Sequence, residues 1–507
     1  MDIIGLKFGL LLVWAFGIAC LAALPRRTAF GDEPGGRAWL IGAGGLAGLF
    51  LATLWLRALS LAGIAFSAAT IALPILAATL ALGAWSYRRN RRAPGETDGT
   101  SARDTPGARM RGALAERGAA ISGRALPARD RLLWRLLLAW LALRALLLLV
   151  EVATHPLFPW DAWTQWATKA RVWYELGRIV PFERTDAWFA ATGVTYFDAG
   201  PNYPGTVGLM QVLASNFLGR WDDTLMNLPF WMLAVAFAFA IYGALRAMEF
   251  TPTWALAGTW LVSSLPLANT HVALAGYADL PLAIYFCAAI LACLRWLRTR
   301  ELADAALALL LLAACPLLKI PGRIWALLAA PALLTGLLPR LGPRIVGAAY
   351  AATVFGLLLL AQTSPVIMGY HLHLEFAPDW EALANSFFLY DNWHLLWYGA
   401  LAAAVLGRRQ LLSPQVAPLT MVVAGGVIFV AFVLLFTNAR NWLSDQSTVN
   451  RATLHMAPVV AIWMLAVFRA WTETLRVPAA RPMPAAEEAL PPPEPAPEAA
   501  APPAAAS

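Results

Sequence analysis

Two carboxylates in one long loop are the first residues of this chain that could do chemistry. Asp161 ends the stretch His155-Pro156-Leu157-Phe158-Pro159-Trp160-Asp161. Asp198 lies within Thr195-Tyr196-Phe197-Asp198-Ala199-Gly200-Pro201-Asn202-Tyr203-Pro204. A partly desolvated carboxylate can take the proton of a reacting hydroxyl, because loss of water raises its pKa toward working pH. Asp161 also stands where a helix begins, and Asp is a favoured N-cap whose oxygens accept from free backbone N–H groups. The sequence leaves both readings open. Asp198 sits in a Gly/Pro/Asn-rich turn, which such a residue commonly serves. Tyr203 beside it can stack on a sugar or donate a hydrogen bond. A third carboxylate, Asp279, precedes Leu280-Pro281 and reads first as an ordinary helix cap. In an extended chain, His371, His373 and Glu375 would face one way and could hold a metal. No further ligand set accompanies them, so no metal and no cofactor are expected.

The elements that must position these groups are membrane helices. Of the 507 residues, 60% are hydrophobic and only 13% charged, and the mean hydropathy is +0.61. Soluble domains carry about 25% charged residues, so a soluble, disordered or disulfide-stapled protein is excluded. Cys20, Cys287, Cys293 and Cys315 all lie in apolar runs, where a thiol acts as a small hydrophobe. A spanning helix needs about 20 mostly apolar residues. Runs of that kind lie near 3–24, 38–58, 60–86, 132–151, 225–246, 253–268, 277–294, 303–318, 322–338, 344–364, 393–407, 414–436 and 452–469. The fold class expected is therefore an all-α polytopic membrane protein with about 13 transmembrane helices.

Basic residues set the orientation. Segment 88–131 carries eleven Arg against five acids and reads as a cytoplasmic, disordered loop. Alternation from there places Arg246, Arg295, Arg298, Arg300, Arg340, Arg344, Arg408 and Arg409 on the same side. Loop 365–392, with four acids and no Lys or Arg, falls outside. The pattern predicts an external N-terminus and a cytoplasmic C-terminus. Four parts follow: three N-terminal helices over 1–87, the basic loop 88–131, a transmembrane core over 132–470 with outer loops 152–224, 365–392 and 437–451, and a Pro/Ala/Glu-rich tail over 471–507 with no fold of its own.

Loop 152–224 is too long for a simple connector. After Asp161, the residues Trp163, Trp166, Ala170, Trp173 and Gly177 recur at helical spacing, with Gln165, Lys169, Arg171 and Glu175 around the rest. Such a Trp-rich amphipathic helix is expected to lie flat on the outer membrane surface. A second short surface helix is expected over 206–218.

The chain resembles the GT-C class of integral-membrane glycosyltransferases, in particular the bacterial protein-mannosyltransferase and aminoarabinose-transferase-like group. The resemblance covers roughly 132–470. It rests on Pro159-Trp160-Asp161-Ala162-Trp163 through Lys169-Ala170, on Asn202-Tyr203-Pro204, on Gly276-Tyr277-Ala278-Asp279-Leu280-Pro281-Leu282-Ala283, and on Asn450-Arg451 with Leu454-His455 and Pro458. It implies transfer of a sugar from a polyprenyl-phosphate donor to an envelope acceptor (lipid, glycan or protein) at the outer face of the bacterial inner membrane, with inversion. Asp161 falls on the group's candidate base. Two features depart from the group. Ala162 stands where many relatives have a second acid, so Asp198 would have to supply any paired carboxylate. Lys319-Ile320-Pro321-Gly322 lacks the Glu found in many relatives.

A departing lipid phosphate must be met by cations near the outer headgroups. Lys169, Lys319, Arg323, Arg440 and Arg451 are the candidates. His455 lies one helical turn after Arg451, so the two share a face and could grip a phosphate or serve as an interfacial anchor. Lys319, between Pro316 and Pro321, stands at a helix break or else snorkels. His271 lies in the same short outer loop as Asp279 and could face the cavity. The expected partners are the donor, the acceptor and the lipid bilayer, with no nucleic acid. The alternative reading is a polytopic transporter or flippase for an envelope precursor, which would explain broken helices and charges at membrane depth without chemistry. An assembly subunit for envelope polysaccharide is a third. No internal repeat supports the transporter, and the long Trp-rich loop favours the transferase.

Overall fold

The computed structural model describes residues 3–92, 123–124, 126–367 and 370–475. Most of loop 88–131 and of the tail 471–507 therefore lies outside the described residues. The chain forms α1 (Ile3–Ala23), α2 (Gly36–Leu61), α3 (Ala68–Arg92) and α4 (Ala128–Thr154). A π-turn over Ala162–Trp166 runs into α5 (Ala167–Leu176), followed by α6 (Thr185–Ala190), α7 (Thr206–Leu218), α8 (Leu228–Ala247), α9 (Pro252–Ser263) and α10 (Pro266–Ala273). Then come α11 (Asp279–Thr299), α12 (Leu302–Leu318), α13 (Gly322–Leu327), α14 (Ala329–Leu337) and α15 (Gly342–Leu359). The last are α16 (Trp380–Ala384), α17 (Leu396–Leu406), α18 (Ala417–Phe436), α19 (Ser447–Leu454) and α20 (Ala457–Leu475). Among the described residues the only ladder pairs Val366–Ile367 with Tyr370–His371.

Among the described residues nine helices are long and apolar enough to cross a membrane. They are α1, α2, α3, α4, α8 with the turn before it, α11, α15, α18 and α20. The other expected spans are shorter or broken. Run 253–268 divides into α9 and α10 because Pro266 holds Leu265 extended, at φ −54° and ψ 124°. Run 322–338 divides at Leu328, where Pro331 cannot accommodate the carbonyl of Leu327 one turn back. Helices α12 and α17 have 17 and 11 residues.

Helix α11 is the axis of the bundle, buried along nearly all its length, and α2 is next. Helices α3, α4 and α15 are apolar yet largely uncovered, with Leu136, Leu143, Leu147 and Phe355 exposed. Apolar helices of that kind suit contact with hydrocarbon rather than water.

Two expectations for the long loop need correction. Helix α7 is not a surface helix, since every one of its residues is buried. It packs against α1, α2 and α5. Some of its polar groups are met inside: Gln211 donates to Asn227 Oδ1 at 3.0 Å and Asn216 to Val212 O at 2.9 Å. The first loop helix does not lie flat on its Trp face either. Trp166, Lys169, Ala170 and Trp173 are buried, while Trp160 and Trp163 are exposed. The π-turn adds a residue to the first turn and rotates Trp163 out of register with the rest.

The two ends of the bundle are chemically different. At one end Arg26 pairs with Glu33 and with Asp304, both at 2.8 Å, and Arg295 pairs with Asp304 at 2.9 Å and with Glu33. This network ties the α1–α2 connection to the α11–α12 connection. Asp279, at the start of α11, belongs to the other end, about 24 Å away by helical rise.

Candidate functional site

Four chain segments converge on that other end. The loop after α4 brings Asp161, α11 begins with Asp279, the chain leaving α12 brings Lys319, and the approach to α20 brings Arg451 and His455. Alternation of helices requires these points to share an end, and the contacts show that they do.

Asp279 is the centre. It is the first helical residue, yet its side chain makes no capping bond. Its carboxylate is fully buried and accepts three side-chain bonds. Lys319 Nζ lies 2.5 Å and His455 Nε2 2.9 Å from Oδ1, and Arg451 Nε lies 3.0 Å from Oδ2. The capping reading of Asp279 is therefore replaced by an ionic one. Asp161 does not cap its turn either. Its Oδ2 is 2.6 Å from Arg451 Nη1. Arg451 thus bridges two carboxylates, and its guanidinium also stacks 4.7 Å from the centre of the Tyr277 ring.

Local structure explains how each group is held. Lys319 has left the helix, with φ −153° and ψ 148°. Pro321 cannot follow a helical Ile320 comfortably. Gly322 then turns back so closely that a Cβ there would stand 1.9 Å from Cys315 O. Lys319 is therefore buried against Asp279 and does not snorkel. Gly276 has φ +113°, and a Cβ on it would stand 2.6 Å from the Cβ of Ala162. This close approach sets the loop before Asp279 against the residue that follows Asp161. Arg451 and His455 come from α19 and its end, which Asn450 fixes by accepting from Ser386 Oγ and Asn392 Nδ2, both at 3.2 Å.

Protonation follows from the bonds. Trp325 Nε1 lies 3.1 Å from His455 Nδ1. An indole can only donate, so Nδ1 accepts, and the imidazole proton sits on Nε2 facing Asp279. His455 is then a neutral donor. The group balances two carboxylates against Lys319 and Arg451. Burial works against the charge of Arg451, but Asp279 and Asp161 outweigh it and raise its pKa. His271 packs its ring 5.3 Å from Tyr277. Burial pushes its imidazole down to about 4, so it is neutral near pH 7.

The two carboxylates are held unequally. Asp279 has three donors and no exposure. Asp161 has one cation, and its side chain is 24% exposed, beside 26% for Arg451. The accessible edge of the site is therefore the Asp161–Arg451 pair.

Other expected residues lie elsewhere. Asp198 and Lys169 are completely or almost completely buried, and they face each other at 3.5 Å. Asp198 Oδ1 accepts from Gly200 N at 2.6 Å. Lys169 Nζ donates to Gly200 O at 2.7 Å and to Tyr203 O at 3.1 Å. Burial lowers the pKa of Lys169 and raises that of Asp198. Among the described residues no hydrogen bond or ion pair links this pair to Asp279, so Asp198 does not supply the second carboxylate expected of it. The pair folds loop 198–204 onto α5, and Tyr203 packs its ring 5.5 Å from that of Trp166. Lys169→Met is expected to destabilise the protein by about 3–5 kcal/mol, because it strands a buried carboxylate. Adding Asp198→Asn should restore much of that loss in a denaturant or thermal unfolding series.

Arg323 is exposed and forms no ion pair among the described residues. Arg440 pairs with Glu375, and His373 Nδ1 meets Ser364 Oγ at 3.1 Å. Among the described residues no group of three or more His, Cys, Asp or Glu side chains could hold a metal. Sequence reasoning gave no role to Tyr277, Trp325 or Asn450. Tyr277 and Asn450 stand beside Asp279 and Arg451 in the motifs quoted above, which was the available signal. Trp325 reads as one more apolar helix residue.

Comparison of the chain with protein-family models, with curated proteins and with solved structures finds no match.

Proposed function

We propose that this protein is a membrane glycosyltransferase that moves a sugar from a polyprenyl-phosphate donor to an envelope acceptor at the outer face of the bacterial inner membrane. The observation that supports this most is the partly exposed Asp161 carboxylate beside Arg451, with Lys319 behind it. An inverting transfer needs a base and a cationic seat for the leaving phosphate within one site. In the step, the acceptor oxygen bonds to the anomeric carbon as the carbon–oxygen bond to phosphate breaks. The bonding pair leaves on the phosphate oxygen, and the acceptor proton passes to Asp161. Arg451 and Lys319 offset the charge that builds on the phosphate. His455, neutral and fixed by Trp325, holds Asp279, which holds both cations.

A second reading is favoured by the helix break at Lys319, which lies within the charged group as in many carriers. The two readings separate in proteoliposomes supplied with a polyprenyl-phosphate sugar. The transferase converts the donor into free polyprenyl phosphate and a glycosylated acceptor. A carrier moves the donor across with both parts unchanged.

A further inference from the structure

We infer that Arg451 is an exchangeable clamp: the phosphate of the donor takes the place of Asp161 on the guanidinium, so that binding the donor is what releases the base. The inference rests on the transferase reading for the identity of the anion. The exchange itself rests on how Arg451 is held.

Arg451 spends its two edges on two different carboxylates. Nε faces Asp279 at 3.0 Å and Nη1 faces Asp161 at 2.6 Å. The Asp279 edge is fixed, because that carboxylate is fully buried and also bound by Lys319 and His455. Tyr277 under the guanidinium holds its plane. The Asp161 edge is different. It is the partly exposed side of the site, and Arg451 is the only cation within 4 Å of Asp161 among the described residues. A guanidinium presents parallel N–H groups that suit a phosphate as well as a carboxylate. An arriving phosphate anion therefore competes with Asp161 for one edge and leaves the other in place.

The exchange matters for chemistry. While Arg451 holds Asp161 Oδ2 at 2.6 Å, that oxygen is engaged by the guanidinium and cannot also meet an acceptor hydroxyl in line. Once the phosphate occupies the Nη1 edge, the Asp161 oxygen that Arg451 had engaged is free to accept the acceptor's proton, next to the phosphate whose ester bond is to break. Without the donor the base stays masked. Such coupling would suppress proton transfer to a site that holds acceptor alone.

The consequence is unusual for a site residue: removing the charge of Asp161 should improve binding. Polyprenyl monophosphate without sugar is the probe, titrated into wild type, Asp161→Asn, Arg451→Lys and Arg451→Gln in nanodiscs. Asp161→Asn should bind it about tenfold tighter, since an internal competitor has gone. Arg451→Gln should lose most of the affinity, and Arg451→Lys, which cannot present two edges, should retain only part. Inorganic phosphate should compete, while the phosphate-free polyprenol should not. In the wild-type protein the infrared carboxylate bands should shift when the probe binds, and the shift should be absent in Asp161→Asn. Unchanged or weaker binding by Asp161→Asn, or no band shift in wild type, overturns the clamp. The readings fail separately. Tighter binding by Asp161→Asn with no sugar transfer by wild type keeps the clamp and removes the transferase. Transfer by wild type with unchanged Asp161→Asn affinity does the reverse.

Discussion

Asp279→Ala is expected to destabilise the folded protein by about 3–5 kcal/mol, more than a change at any other charged residue of the site. The reason is the imbalance it leaves. Lys319 is buried against Asp279, and Arg451 loses the fixed one of its two carboxylates. His455 keeps its bond to Trp325, but its Nε2 proton has no acceptor left among the described residues. Uncompensated charge in a low-dielectric surrounding costs several kcal/mol. Asp279→Ala with Lys319→Met should recover part of the loss, because one stranded cation is then removed. Thermal unfolding in detergent measures both. A single variant that unfolds with the wild-type midpoint would show that these groups are not the closed set described here.

Asp161→Asn should behave in the opposite way. Its carboxylate is partly exposed and makes one ion pair, so its loss leaves Arg451 still paired with Asp279. Folding and dispersity should stay close to wild type. Sugar transfer should fall by about 10²–10⁴, the usual worth of a positioned general base. Asp161→Glu should retain a fraction, since it keeps the group but moves it by a methylene. Full transfer by Asp161→Asn would remove Asp161 from the role of base. The contrast is the useful part: one carboxylate of the pair is expected to matter for stability, the other for turnover.

Much of the architecture was legible because composition and run length answer to one physical constraint, the thickness of a hydrocarbon layer. The alternation of Arg-rich and acidic connections already grouped Asp161, Asp279, Lys319 and Arg451 on one side. The spacing of Arg451 and His455 put both on one face, and both do reach Asp279. What the sequence concealed was pairing. Asp279 and Lys319 are forty residues apart, and each has a bland local account, a cap and a snorkelling amine. Only the packing of α11 against α12 brings them together. The same holds for Lys169 and Asp198, where local composition suggested an interfacial helix and a turn but the chain folds one onto the other. The segment of α7 reads as a surface piece because its thirteen residues are too few to span and its flanks are polar. Its neighbours α1, α2 and α5 bury it instead. The π-turn after Asp161 has no signature in the sequence, and it sets Trp163 apart from the buried Trp166.

In the proposed function, one end of the bundle seats a lipid phosphate on Arg451 and Lys319 with Asp161 facing the sugar. A structure with a polyprenyl-phosphate sugar bound tests it most directly. Phosphate oxygens are expected within hydrogen-bond distance of the Arg451 guanidinium, and the anomeric carbon on the side of Asp161. A phosphate held at the opposite end, near Arg26 and Arg295, or a sugar with no path to Asp161, would contradict it.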